Sequence, residues 1–144
     1  MNKVEQAVSC FKDGFNCAQA IFSVYGQEYG LDPKTALKIA CGFGAGMGCM
    51  AETCGAVTGA FMVIGLKYGR TDILDISAKE STYQRVRDFT EKFRSRNGSI
   101  VCSKLLGVDI STKEGMKSAK EVNTHNTSCP KFIKDAAEIL EEIL

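Results

Sequence analysis

Seven cysteines stand at positions 10, 17, 41, 49, 54, 102 and 129 of a 144-residue chain with one histidine and no tryptophan. Thiols in that number suit metal ligation, dithiol redox work, or plain burial as small hydrophobes. The odd count excludes complete pairing within one chain. No two cysteines are separated by two residues, so no C-x-x-C occurs. Its absence disfavours thioredoxin-like sites, zinc ribbons, covalent haem attachment and the local ligand run of bacterial ferredoxins. A metal site in this chain must be assembled from distant segments by the fold.

The elements that would do the assembling read as helices. Apolar residues at 4, 7, 8 and 11 mark one helical face, stopped by Asp13-Gly14. Asn16, with Gln19 three residues on, forms a capping-box start for a helix over 17–29, closed by Gly30. Asp32-Pro33 starts a third helix over 33–41. Glycines at 42, 44, 46 and 48 then alternate with other residues, a loop of unusual backbone geometry. The fourth helix, over 53–68, reads as the most buried, with Ala51, Gly55 and Gly59 as a small-residue stripe for close packing. Further helices are expected over 76–96, 99–106, 111–122 and 129–144. The 76–96 helix carries Tyr83, Val86, Phe89, Thr90 and Phe93 on one stripe, and the terminal helix turns Ile133, Ala136, Ala137, Leu140 and Ile143 inward. No strand-like alternation or internal repeat competes. The expected fold is all-α, one domain over 1–144, a bundle of about six to eight helices with a glycine-rich interhelical loop.

Four cysteines fall at helix starts on this map. Cys17 follows the Asn16 cap, Cys54 follows Thr53, Cys102 comes three residues after Ser99, and Cys129 precedes Pro130. Free backbone N–H groups and the positive dipole end favour a thiolate there, and the same groups can donate to cluster sulfur. Cys10 lies inside a helix, Cys41 at a helix end and Cys49 on the glycine loop.

Asn16-Cys17-Ala18-Gln19-Ala20, the glycine loop, Cys54-Gly55-Ala56-Val57-Thr58-Gly59, and the lone Cys102 and Cys129 together resemble the family named for its C_GCAxxG_C_C cysteine pattern. The resemblance covers nearly the whole chain. The hexapeptide alone is a weak string; with three further cysteines in this order it is specific. The resemblance implies redox or metal chemistry, with Cys17, Cys54, Cys102 and Cys129 as the characteristic set and an iron–sulfur cluster as the expected prosthetic group. A related cysteine-rich region occurs in split-Soret cytochromes, but this chain has no C-x-x-C-H and no haem is expected. The resemblance identifies no substrate.

Other features carry weaker signals. The glycine loop fits no G-x-G-x-x-G register and follows no strand, so it is read as a tight helix connection whose N–H groups can approach a cluster or anion. Cys49 on it is a substitute or additional ligand. His125 is read as an exposed loop residue, with a ligand or proton-donor role as the sharper alternative. Glu52 reads as a solvated first-turn acid that complements the helix dipole, or else a base beside Cys54. Lys131 and Lys134 stand early in the last helix and Glu141 and Glu142 late, against the macrodipole, so the lysines would offset a thiolate at Cys129. The basic run Arg85, Arg87, Lys92, Arg94 and Arg96 is broken by Asp88 and Glu91 and reads as a solvated face.

Eighteen Lys and Arg against seventeen Asp and Glu leave +1, which points away from nucleic acid and membrane lipid as partners. The longest nearly uncharged stretch before Lys67, 53–66, is too short to cross a bilayer, which needs about 20 residues. No secretion signal opens the chain, so it is expected in the cytoplasm. Three functions remain open. One is an electron-transfer protein holding an iron–sulfur cluster through the four cysteines, with an unidentified redox partner. Another is a metal-free dithiol oxidoreductase or redox sensor, and a third is a zinc-binding structural or carrier protein. The glycine stripe allows a homodimer or packing within one chain.

Overall fold

The computed structural model describes residues 1–144. Its helices in chain order are α1 (Lys3–Lys12), α2 (Cys17–Gly26), a 3₁₀ turn (Gln27–Tyr29), α3 (Pro33–Cys41), α4 (Gly55–Tyr68), α5 (Ile76–Asn97), α6 (Cys102–Leu106), α7 (Lys113–Glu121), α8 (Thr124–Thr127) and α9 (Cys129–Ile143). The all-α expectation holds. Eight helices run five residues or longer, and the single turn α8 has no counterpart in the sequence reading.

Local chemistry sets most of the starts. A capping box joins Asn16 and Gln19: the Asn16 side chain accepts from the Gln19 N–H (2.9 Å), and the Gln19 side chain accepts from the Asn16 N–H (3.0 Å). A second box, Asn2 with Glu5, opens α1. Asp32, Asp75 and Thr112 each accept an N–H at the head of α3, α5 and α7. Left-handed glycines at 30, 98 and 107 end the 3₁₀ turn, α5 and α6.

Three starts differ from the sequence reading: α7 begins at Lys113 rather than 111, behind its Thr112 cap, and the other two share one tertiary reason. Helix α4 begins at Gly55 rather than 53, and α6 at Cys102 rather than 99. The residues ahead of each are extended and pair with one another. Thr53 and Val101 form an isolated antiparallel bridge, the Cys54 N–H donates to Ile100 O (2.8 Å) and the Ser103 N–H to Ala51 O (3.2 Å). Ser99 therefore does not cap α6; its hydroxyl accepts from the Val101 N–H two residues on (3.0 Å).

The most buried helix is α2, not α4. Nine of its ten residues are buried, against seven of fourteen in α4. It lies between α1, α3, α4 and α9, so no face is left to solvent. The core around it takes in Ile21, Tyr25, Val57, Ile64, Phe89, Phe93, Ile133 and Leu140. Of the stripe expected on α5, only Phe89 and Phe93 are buried, and Tyr83 is 52% exposed.

Gly55 and Gly59 press α4 against α2. A Cβ at Gly55 would stand 2.9 Å from the Ala18 nitrogen, and one at Gly59 3.0 Å from the Ala18 oxygen. The glycine stripe is thus spent inside the chain. Ala51 is not part of it, because it lies on the loop with φ 58°.

The reversed charges of α9 are answered by other helices. Glu142 pairs with Lys92 (3.1 Å) and Arg96 (3.6 Å), and Glu141 lies 3.0 Å from the Tyr25 hydroxyl. Lys131 serves Asp135 (2.6 Å) and Asn97 (2.7 Å) rather than Cys129, and Arg96 bonds Asp135 and Glu138. The α5 basic run is therefore partly an α5–α9 seam and not wholly a solvated face. Burial pushes the Asp135 carboxyl up, but hydrogen bonds from Lys131, Asn97 and Arg96 outweigh it and hold the group below the usual range. A depressed carboxyl stabilises fully above its unfolded pKa of about 3.9 and loses that contribution as pH falls through the lower folded value. Asp135→Asn is expected to cost about 1–2 kcal/mol at pH 7. The loss should shrink below about pH 4, as read from urea unfolding at both pH values. An unchanged difference at low pH would contradict this assignment.

Candidate functional site

Cys17, Cys102 and Cys129 are the first residues of α2, α6 and α9, and Cys54 is the cap residue of α4. All four line one cavity of about 490 Å³. Cys17, Cys54 and Cys102 are buried and Cys129 is half-buried. Around the antiparallel bridge Cys54 stands opposite Ile100 and Cys102 opposite Glu52, so the two cysteines lie diagonally across the pairing, near enough for Cys54 to reinforce the effect of burial on Cys102. The Asn16 box fixes Cys17, and the Asn16 Nδ2 also donates to Cys41 O (3.0 Å), tying the head of α2 to the end of α3. A Cβ on Gly44 would stand 2.4 Å from that nitrogen, so this loop position accepts only glycine.

Burial governs the thiols more than helix dipoles do. It pushes Cys54 up to about 11, although the N–H groups of Ala56 and Val57 pull the other way. Burial and the neighbouring cysteines push Cys102 up to about 12. Interaction with the Cys129 sulfur, and then burial, raise Cys17 well above its ordinary value, and the same interaction, against burial, lowers Cys129. Cys129 is lowered by Cys17 and not by its helix start, and helix-start N–H groups act only on Cys54, where burial outweighs them. An N-terminal turn contributes less than a buried thiolate loses in hydration.

The remaining cysteines stand apart. Cys10 packs against the core with its sulfur 3.8 Å from the Ser23 hydroxyl, and Cys41 is exposed. Cys49 neighbours Cys102 but does not line the cavity; its thiol donates to Ile110 O (3.7 Å). The loop that carries it is more strained than its glycines suggest. Residues 45–49 all have positive φ: Ala45 54°, Gly46 71°, Met47 65°, Gly48 59° and Cys49 63°. Each non-glycine residue in that region costs roughly 1–2 kcal/mol. Bonds from the Met47 N–H to Phe43 O (3.2 Å) and the Glu52 N–H to Gly46 O (2.9 Å) hold the turn closed, and Ala45 and Gly46 form part of the cavity wall.

The rest of the wall is mostly apolar: Phe11, Leu105, Leu106, Ile110, Met116 and Phe132. None of these was legible as a site residue, because each also fits an ordinary core pattern. His125 is exposed as expected, but on helix α8 rather than a loop, at the cavity edge with its ring 4.4 Å from that of Phe11. Glu52 is exposed and lies before α4 rather than in its first turn; it does not line the cavity. No aspartate or glutamate does. No three histidine, cysteine, aspartate or glutamate side chains are arranged to hold a single metal ion. No helix is long and apolar enough to cross a membrane.

A helical scaffold thus brings four dispersed helix-start cysteines to one largely apolar cavity. The chain belongs to the family described as "Putative redox-active protein (C_GCAxxG_C_C)", whose model matches residues 15–143. No curated protein and no solved structure matches it.

Proposed function

We propose that the protein is an electron-transfer module that holds an iron–sulfur cluster through Cys17, Cys54, Cys102 and Cys129. The observation that carries this reading is the convergence of four thiols on one cavity with no carboxylate in its wall. Four thiolates are the usual ligand set of [2Fe–2S] and [4Fe–4S] centres. A cluster spreads its thiolates over several irons, so it does not need the four sulfurs gathered about one point. A structural or carried zinc ion would need all four about one point in tetrahedral array. When bound, the cluster supplies one-electron chemistry. The chain's own residues hold the ligands on rigid helix starts and keep water out with Phe11, Leu106, Ile110 and Phe132. The Ala56 and Val57 N–H groups stabilise the anionic form of Cys54. Thiols pushed up by burial must lose their protons to bind metal, so loading releases protons.

The placing of Cys17 and Cys129 on one cavity wall, close enough to shift each other's titration, favours a second reading, a dithiol couple. Oxidation would join the two sulfurs and pass two electrons and two protons to a disulfide reagent.

One oxygen-free preparation tests both readings. Broad absorption near roughly 400 nm with stoichiometric iron and acid-labile sulfide is expected for the cluster. Colourless, iron-free protein would overturn it. In that case oxidation by a disulfide reagent should consume two thiols and link Cys17 to Cys129 in a peptide map. Equal, slow reaction of all seven thiols would remove the dithiol reading too.

A further inference from the structure

Helix α7 carries Lys113, Lys117 and Lys120, separated by four and three residues and so on one stripe of the helix. All three are exposed. None takes part in a salt bridge, whereas Lys3, Lys92, Arg96 and Lys131 all do. The stripe spans about 10 Å along the axis. It borders the cysteine cavity: Lys120, Met116 and Ile110 line that cavity, and the same three line a shallow groove that continues to Lys113 and Lys117.

We propose that this lysine face docks an acidic electron-carrier protein, with the cysteine cavity directly behind the contact. The inference rests on the redox reading of that cavity. Three of the four thiols are buried, and α7 contributes Met116, Ala119 and Lys120 to the wall of their cavity while carrying an unpaired charge pattern outside. Contacts between redox proteins are small and short-lived, and charge orients them more than buried area does. With a net charge of +1 the whole chain exerts little field, so three unpaired cations on one face act as a local guide. A nucleic-acid partner is less suited. No aromatic side chain lines the groove to stack on bases, and Glu121 lies at its edge.

The full chain, labelled with ¹⁵N, would be titrated with a small acidic ferredoxin as the probe. Shifts are expected to concentrate at residues 110–121. Binding should weaken about tenfold between low and physiological salt. The combined Lys113→Glu, Lys117→Glu and Lys120→Glu variant should weaken binding by about tenfold or more at low salt. Reversal of two exposed α3 lysines, Lys34→Glu and Lys38→Glu, should leave it unchanged. Absence of binding, shifts elsewhere, equal loss in the α3 control, or equal binding of a single-stranded oligonucleotide would each overturn the proposal. Iron is assayed separately, and the titration does not require it. Iron-free protein that still binds through α7 would sink the cluster and keep the docking face; iron-loaded protein that fails to bind would do the reverse.

Discussion

Cys54→Ala protein purified without oxygen should retain less than about a tenth of the iron and visible absorption of the parent. Cys54 caps α4, is buried, and has its backbone N–H bonded to Ile100 O beside the Thr53–Val101 bridge. No spare thiol lines the cavity to replace it, because Cys49 is turned to Ile110 O and Cys10 and Cys41 lie elsewhere. The same loss is expected at Cys17, Cys102 and Cys129, whereas Cys10→Ala and Cys41→Ala should keep full iron. Helical circular dichroism and the melting temperature separate lost ligation from lost folding. Losing one buried sulfur costs only about 1 kcal/mol of packing. Full iron in Cys54→Ala would refute the four-ligand assignment, and iron lost from Cys41→Ala would extend it.

The second large effect is expected at a residue with no side chain. Gly55→Ala places a methyl group 2.9 Å from the Ala18 nitrogen, 3.1 Å from Cys17 Cβ and 3.2 Å from Phe43 O. Two of these neighbours are backbone, so relief requires α2 and α4 to part. Overpacking of this kind costs about 2–3 kcal/mol, which lowers Tm by roughly 5–10 °C in a chain of this size. The displacement moves Cys17 relative to Cys54, so iron content should fall as well, even where the variant is folded. Gly65→Ala, on the same helix with nothing within 4 Å of its Cβ, is the control and should be neutral or slightly stabilising. A Gly55→Ala protein as stable as Gly65→Ala would show that the α2–α4 contact is looser than described.

Helix identity was readable because its causes are local. The Asn16–Gln19 box, Asp32-Pro33 and the glycine stops at 30, 98 and 107 act within four residues, and the structure keeps them. The inward face of α9 was readable from periodicity, although Asp135 was hidden among its apolar neighbours. Most departures share one origin. The starts of α4 and α6, the strain at Ala45, Met47 and Cys49, and the duties of Lys131 and Glu142 are settled by partners far away in the chain. For the glycine loop, alternation suggested that glycine alone would carry the left-handed backbone. The intervening residues share it because the turn is closed by the bonds of Met47 and Glu52.

By itself, then, the sequence determined an all-helical chain, the four cysteines at or beside helix starts, and the glycines that let α2 and α4 touch. Capping, periodicity and the missing Cβ are properties of short segments, and they survive whatever surrounds them. Only the tertiary structure decided that those starts face one cavity, that Cys17 meets Cys129 from more than a hundred residues away, and that Cys49 is left outside. It also decided that burial raises the Cys54 and Cys102 thiols despite their helix ends. Burial is a sum over neighbours from every part of the chain, and no window of residues contains that sum.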